Sequence, residues 1–159
     1  AVITLSDKGS RGEREDKSGP LAAELLAGAG YTVEETLLLP DEEAALKAQL
    51  IRLADGRQLN LILTTGGTGF SPRDITPEAT MAVATRNAPG IAEAIRYHSL
   101  TITPRGMLSR GASVLRGKTL IVNLPGSPKA VREDLEYLLP SLEHGVRIAA
   151  GLDGECARK

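Results

Sequence analysis

One stretch of the sequence, residues 61–79, limits the possible folds more than any other. It begins with an apolar run of strand length, contains three glycines between Gly66 and Gly69, and ends at Thr76-Pro77. A threonine followed by proline predicts the start of a helix, with Thr76 as its N-cap. A strand, a glycine loop and a helix start in this order direct backbone N–H groups and a positive helix end toward an anion. The stretch therefore predicts a phosphate-binding site.

The loop differs from the two best-known phosphate-binding loops. A Walker loop continues into Gly-Lys-Ser/Thr, whereas Gly69 is followed by Phe-Ser-Pro. A dinucleotide-binding loop needs a third glycine where Pro72 stands. A tight structural turn is the plainer alternative, with Asp74 as an Asx-type turn residue. In the functional interpretation, the Asp74 carboxylate holds a metal ion against phosphate oxygens.

Apolar runs alternate with helical patterns along the chain, whose 159 residues fit one domain. Because the strands read as continuous apolar runs, we expect an α/β domain with a mostly parallel sheet buried on both faces. Residues 6–19 and 101–110 read as loops, and residues 152–159 as a loose tail. Predicted strands cover 1–5, 31–39, 59–65 and 118–124; predicted helices cover 20–29, 41–54, 76–84, 91–100 and 128–151, the last interrupted or kinked near Pro140.

Ligands of such sheets bind beyond the carboxyl ends of the strands. The predicted topology brings four loops to this edge, which begin at Ser6, Pro40, Gly66 and Pro125. Asp7, Asp41 and Asp74 lie in or next to these loops. Carboxylates paired near phosphates are typical of a magnesium site. For Asp41, a plain N-cap of the following helix is the alternative.

The basic residues are unevenly distributed. Between Glu93 and Glu133 the chain has no acidic residue and seven basic ones. This concentration of positive charge favours a polyanionic small ligand such as a nucleotide triphosphate, with a solvated basic face as the alternative. A net charge of -1 and 3% aromatic residues argue against nucleic acid. The seven are Arg96, Arg105, Arg110, Arg116, Lys118, Lys129 and Arg132.

Other features exclude several classes of protein. The single cysteine, Cys156, cannot form an internal disulfide, which favours the cytoplasm. No apolar run has membrane length and none resembles a signal peptide, so we expect no membrane partner. His98 and His144 lack metal-ligating neighbours at the usual spacing, and there is no Gly-x-Ser-x-Gly elbow. We therefore expect direct transfer between bound ligands, without a covalent enzyme intermediate.

Two motifs resemble the signatures of the molybdenum-cofactor biosynthesis family. The first is Thr64-Thr65-Gly66-Gly67-Thr68-Gly69 with Arg73-Asp74-Ile75-Thr76-Pro77-Glu78-Ala79, and the second is Asn123-Leu124-Pro125-Gly126-Ser127-Pro128-Lys129-Ala130-Val131. Ser6-Asp7, Pro40-Asp41-Glu42 and Met107-Leu108-Ser109-Arg110 fit as well. The match spans nearly the whole chain in order. Within the family, the chain is most similar to the adenylyltransferases, including the G domains of gephyrin and its plant counterpart.

The resemblance implies a three-layer α/β/α sandwich, a single molybdopterin-binding domain over residues 1–151, that assembles as a homotrimer. It also implies transfer of AMP from Mg-ATP to the terminal phosphate of molybdopterin, with pyrophosphate released and the product passed to a molybdate-insertion protein. Carried over by position, Asp41 and Asp74 are the catalytic and Mg²⁺-holding residues. The implied substrate- and nucleotide-binding residues are Asp7, Thr65, Gly66, Gly67, Thr68, Gly69, Ser109, Arg110, Asn123, Pro125 and Gly126.

Within this assignment the glycine loop lines the nucleotide phosphates and Ser109-Arg110 lies on the pterin side. The basic stretch then attracts two phosphorylated ligands. Three alternatives remain open: a catalytically idle paralogue that stores or delivers molybdopterin, another nucleotide or pterin activity on the same scaffold, and a scaffolding trimer. Retention of Asp41, Asp74 and both motifs favours the enzyme.

Overall fold

The computed structural model describes residues 1–152, which fold around one six-stranded sheet. The strands lie in the order β2-β1-β3-β6-β5-β4. The first four are mutually parallel. At one edge, β5 runs antiparallel to β6, and β4 runs antiparallel to β5. The predicted mostly parallel sheet is therefore confirmed. The strands are β1 (Val2–Leu5), β2 (Thr36–Leu39), β3 (Leu61–Thr65), β4 (Arg86–Asn87), β5 (Ser113–Arg116) and β6 (Thr119–Leu124).

Helices cover both faces of the sheet and complete the predicted α/β/α sandwich. They are α1 (Asp7–Ser10), α2 (Ser18–Gly28), α3 (Glu43–Ile51), α4 (Thr76–Ala82), α5 (Pro89–Ile102) and α6 (Pro128–Ala150), with a π-helical turn at Arg52–Gly56 and a 3₁₀ helix at Pro104–Leu108. Helices α2, α5 and α6 pack on one face, and α3 and α4 on the other.

Two apolar cores result because successive residues of a strand point to opposite faces. In β3, Leu61 and Leu63 pack toward α2, α5 and α6, whereas Ile62 packs toward α3 and α4. In β6, Val122 likewise packs toward α2, α5 and α6, and Ile121 packs toward α3 and α4. Burial on both faces explains why these strands read as continuous apolar runs.

Several boundaries differ from the sequence-based predictions. Residues 6–19 were expected to be a loop, yet they contain α1 and the start of α2, where the Asp16 carboxylate accepts hydrogen bonds from the N–H groups of Ser18 and Gly19. β2 covers only Thr36–Leu39, the part paired with β1. β4 and β5 were missed because both are short and depend on antiparallel pairing at the sheet edge.

Of the interruption or kink predicted near Pro140, the interruption is wrong, because α6 continues through this residue and covers 23 residues in all. A proline inside a helix removes one hydrogen bond and costs about 3 kcal/mol. Burial of Leu135, Leu138, Leu142 and Val146 on both sides of Pro140 offsets that cost.

Among residues 1–152, none of the helices combines the length and the apolar composition that a bilayer crossing requires. The remainder of the predicted tail, residues 153–159 with Cys156, lies outside the described residues.

Candidate functional site

The glycine loop after β3 requires glycine at two successive positions. Gly66 has φ +95° and Gly67 has φ +64°, a region that other residues rarely adopt. A Cβ atom on Gly66 would overlap the carbonyl oxygen of Leu5, at the end of β1. A Cβ atom on Gly67 would overlap the hydroxyl of Thr76. The loop therefore packs backbone to backbone on the end of the neighbouring strand.

Thr76 does not cap α4 as predicted. The N-cap residue is Ile75, and Thr76 is already the first helical residue, fully buried. Its hydroxyl donates instead to the carbonyl of Gly66 at 2.9 Å, and its N–H donates to the carbonyl of Gly67 at 3.1 Å. Thr76 thus holds the glycine loop in its left-handed conformation.

The turn after β6 forms the second wall beside this loop. The hydroxyl of Thr65 donates to the carbonyl of Pro125 at 2.7 Å, and a Cβ on Gly126 would lie 3.2 Å from the Cα of Gly66. This close approach brings Thr65, Gly66, Pro125 and Gly126 together, as predicted.

Asn123 lies inside the protein, behind this wall. Its amide nitrogen donates to the hydroxyls of Thr64 and Thr80 at 2.9 Å each, and its oxygen accepts from the N–H of Ala112 at 3.0 Å. Because the side chain is 2% exposed and hydrogen-bonded on both ends, it ties β6 to β3 and α4. Its contribution to the site is positional.

Asp7 and Asp41 are joined by two hydrogen bonds, each from the backbone N–H of one residue to the carboxylate of the other. The N–H of Asp7 donates to Oδ2 of Asp41 at 2.9 Å, and the N–H of Asp41 donates to Oδ1 of Asp7 at 3.0 Å. The Arg73 guanidinium donates to both oxygens of Asp7 at 2.9 Å and lowers the pKa of that carboxyl. Burial raises the pKa of Asp41, and the charges of Asp7 and Asp74 raise it further. The N-cap alternative for Asp41 is wrong, since α3 has Glu42 at that position.

Asp41 and Asp74 both lie against the glycine loop. A Cβ on Gly67 would lie 3.2 Å from Oδ1 of Asp41, and a Cβ on Gly69 would lie 2.8 Å from Oδ2 of Asp74. Asp74 also accepts a hydrogen bond from the N–H of Ser71 at 3.0 Å, so it has the turn role as well. The two carboxylates that sequence reasoning paired are therefore brought together.

The donor set for a metal ion is small. Residues 1–152 contain no group of three or more His, Cys, Asp or Glu side chains arranged to hold an ion. One oxygen of Asp41 accepts from Asp7, while the other faces Gly67. Mg²⁺ needs only one or two carboxylates when phosphate oxygens and water complete its octahedral shell. The residues present therefore fit an ion that arrives with a nucleotide.

Arg110 acts as a clamp on the loop rather than as a free cation. Its N–H donates to the carbonyl of Thr68 at 2.9 Å, and its guanidinium donates to the carbonyls of Gly69 and Asp74 at 2.7 Å. It also forms an ion pair with Glu78, whose pKa it lowers. Arg110 thereby joins the glycine loop to the segment that carries Ser109.

The basic residues of the acid-free stretch do not all lie at the glycine loop. Arg116 and Lys118 flank the turn before β6, at the sheet edge opposite the glycine loop. Arg116 is paired with Asp55, while Lys129 and Arg132 pair along α6 with Glu133 and Glu136. Four of the seven basic residues are therefore paired with carboxylates. Glu78 and Asp55 are brought to Arg110 and Arg116 by the fold, whereas the partners of Lys129 and Arg132 lie one turn further along α6.

A cleft of about 750 Å³ opens between the glycine loop and the start of α6. Ser127 and Pro128, at the start of α6, line this cleft, and Ser127 supplies no side-chain cap to the helix. Sequence reasoning missed this cleft's outer wall, although the length of the loop after β1 was a signal. The lining includes Ser6, Gly9, Arg14, Lys17, Ser18 and Ser127.

Together these features define a class of protein. It is an α/β domain with a glycine loop flanked by two carboxylates at the carboxyl ends of its parallel strands, the place where such sheets bind ligands. Residues 1–144 match the family model described as "Probable molybdopterin binding domain". The chain belongs to this molybdenum-cofactor biosynthesis family.

Relatives of known name agree with this assignment. The chain is 45% identical over 137 residues to the molybdopterin adenylyltransferase of Escherichia coli (strain K12), covering 85% of this chain and 70% of the relative. It is 40% identical to the enzyme of that name from Helicobacter pylori (strain J99), covering 94% and 86%. The molybdopterin biosynthesis enzyme MoaB from Thermus thermophilus superposes with a TM-score of 0.89 at 49% identity, covering 94% of each chain. The family and fold predicted from the sequence are confirmed.

Proposed function

We propose that the protein is a molybdopterin adenylyltransferase, which transfers AMP from Mg-ATP to the terminal phosphate of molybdopterin and releases pyrophosphate. The observation that carries the proposal is the shared name of relatives with 40–45% identity. The glycine loop between Asp41 and Asp74 supports it, because this geometry suits phosphoryl groups accompanied by a cation. The domain of residues 1–151 is the molybdopterin-binding unit of this proposal.

The nucleotide phosphates bind along Gly66–Gly69 in this proposal. Because the glycines carry no side chains, the loop can present backbone N–H groups at close range to phosphate oxygens. The adjoining cleft is large enough for the rest of a nucleotide and carries Arg14 and Lys17 on its outer wall. Thr65 and Gly126 hold the inner wall in place.

Asp41 and Asp74 would hold the magnesium ion of Mg-ATP, which neutralises charge on the phosphates when bound. Both carboxylates must be ionised for this role. Burial and neighbouring negative charge raise the pKa of Asp41, and a cation beside this carboxylate would lower that pKa again.

The reaction needs positioning more than proton transfer. A terminal phosphate oxygen of molybdopterin attacks the α-phosphorus of ATP, and the bond to the bridging oxygen breaks as pyrophosphate leaves in line. The loop N–H groups stabilise the negative charge on the transferring group. Arg110 and Thr76 fix the loop so that these donors do not move during the reaction.

The pterin side of the site is placed at Ser109 and the Pro125-Gly126 turn in this proposal. Ser109 and Pro125 lie at the rim of a cavity of about 170 Å³ between the 3₁₀ helix and the start of α6. Asp7 contributes indirectly, since its contacts with Arg73 and Asp41 orient the metal-holding carboxylate. The adenylylated product would pass to a molybdate-insertion protein in the cytoplasm.

We propose further that the chain assembles as a homotrimer. The exposed apolar side chains Tyr97, Leu100, Met107 and Leu108 lie on α5 and the adjacent 3₁₀ helix, and Tyr97 is 70% exposed. Such a surface suits burial between subunits. Light scattering is expected to give three times the chain mass of 16.8 kDa, and a single-chain mass at micromolar concentration would contradict the proposal.

Pyrophosphate release separates the enzyme from a storage protein. We expect ATP to yield pyrophosphate only when molybdopterin is also present, because the acceptor phosphate must be bound for transfer. Asp41→Asn is expected to lose this activity, and Asp55→Asn, at the opposite sheet edge, serves as the matched control. Tight molybdopterin binding without pyrophosphate release from the wild type would identify the idle paralogue instead.

A further inference from the structure

Asp134 on α6 is buried beside His98 of α5, whose side chain is 24% exposed, and neither residue is assigned a role in the chemistry proposed above. Asp134 is 1% exposed, and among the described residues its Oδ2 has no hydrogen-bond partner. Nδ1 of His98 is likewise buried and, within residues 1–152, without a hydrogen-bond partner, 3.7 Å from Oδ1 of Asp134. The His98 ring stacks on Tyr137 with centroids 4.4 Å apart. Two adjacent polar atoms without partners are costly unless a proton can be held between them.

The pair is linked through Ser99 to the segment that carries Ser109 and Arg110. The hydroxyl of Ser99 donates to Oδ1 of Asp134 at 3.2 Å. On the other side of Ser99, a Cβ on Gly106 would lie 2.8 Å from the Ser99 Cβ, so the 3₁₀ helix packs directly on this residue. The chain then continues to Ser109, whose N–H donates to the carbonyl of Gly106 at 3.2 Å.

The same segment reaches the glycine loop through Arg110, which donates to the carbonyls of Thr68, Gly69 and Asp74. The cavity of about 170 Å³ lies between α5, the 3₁₀ helix and α6, with Asp134, Ser99 and Ser109 in its lining. This space allows the segment to shift when the charge beside it changes.

We propose that His98 and Asp134 hold a proton that sets the position of residues 103–110, and thereby of Ser109 and Arg110 against the glycine loop. The two are positioning residues. The effect on catalysis rests on the proposed function, whereas the movement of the segment does not.

The surroundings of Asp134 shift its titration toward neutral pH. Burial raises the pKa of Asp134 to about 6, although the Ser99 hydrogen bond and the His98 ring lower it. The charged and titratable side chains that face the pair are Glu133 and Tyr137 from α6 and Arg105 from the 3₁₀ helix. Because the folded-state pKa lies above the ordinary value of 3.8, the folded chain retains a proton that the unfolded chain releases. Stability from this group is therefore lost as the pH rises from 3.8 to about 6.

Amide NMR of the full chain without ligands tests the proposal directly. We expect the amide shifts of Gly106, Met107 and Ser109 to follow one titration with a midpoint near pH 6. In Asp134→Asn this titration is expected to disappear, and the spectrum at high pH is expected to match the wild-type spectrum at low pH. Glu136→Gln removes the same charge at an exposed position of α6, and we expect the titration to remain in this control. Identical titrations in the wild type and Asp134→Asn, or no titration in the wild type, would overturn the proposal.

Two further measurements keep the test decisive. If Asp134→Asn does not fold, His98→Gln is used instead. The midpoint of the amide titration is expected to move in this variant, and an unchanged midpoint contradicts the role of His98. In the adenylylation assay, the rate ratio of wild type to Asp134→Asn is expected to vary with pH, whereas a constant ratio removes the link to catalysis. If neither protein adenylylates, the proposed function fails while the amide titration still decides the positional claim.

Discussion

The Asp74→Asn variant is expected to lose about two to four orders of magnitude in adenylylation rate, the range seen when one strong contact to a transition state is removed. Its midpoint of urea unfolding is expected to stay near that of the wild type. The amide keeps the shape of the carboxylate and an oxygen that can accept from the N–H of Ser71. The turn therefore survives, while the negative charge beside Gly69 that would face a cation is lost.

Initial rates of pyrophosphate release, measured over a series of magnesium concentrations, test this prediction. If Asp74 holds the ion, the Asp74→Asn variant is expected to need a higher magnesium concentration and to turn over more slowly. Asp55→Asn is the matched control, because it removes the same charge at the opposite sheet edge. Near-wild-type turnover by Asp74→Asn would end the assignment of this residue to the metal ion.

Gly66→Ala is expected to destabilise the fold by about 3 to 5 kcal/mol, through a φ that alanine rarely adopts and an overlap with the backbone of β1. The φ of +95° and the Leu5 carbonyl oxygen are both fixed by the sheet, so neither can relax easily. Against a typical total of about 5 to 15 kcal/mol, this is a large fraction of the stability.

Urea unfolding followed by circular dichroism measures this loss. Gly28→Ala is the matched control, because a Cβ there meets nothing within 4 Å and φ is not positive. We expect the control to be neutral or stabilising by up to about 1 kcal/mol. A Gly66→Ala protein whose stability stays within about 1 kcal/mol of the wild type would mean that the loop relaxes away from β1.

The local elements that depend on short-range patterns were predicted well. β1, β3 and β6 were found from their apolar runs, and α4 from the Thr-Pro sequence at its start. Four strand ends were correctly assigned to one edge, because parallel strands connected by helices all point the same way. The family motifs then located the loop and its carboxylates.

Roles that depend on distant partners were not predicted. Thr76 was predicted to cap a helix, but its hydroxyl donates a hydrogen bond to the carbonyl of Gly66, ten residues earlier. Arg110 was placed on the pterin side by resemblance, and its contacts with the loop and with Glu78 were not predicted. Arg73 was named only with the loop side chains and the first motif, and its bond to Asp7, 66 residues away, was not predicted.

By itself, the sequence determined the alternation of strands and helices, the glycine loop and the family, because these depend on periodicity, backbone preferences and contiguous motifs. Only the tertiary structure decided that Arg110 pairs with Glu78 and Arg116 with Asp55, since these acids are brought from far along the chain. It also decided that Asp134 is buried beside His98 between α5 and α6. Burial and pairing are properties of the folded arrangement, and no local pattern encodes them.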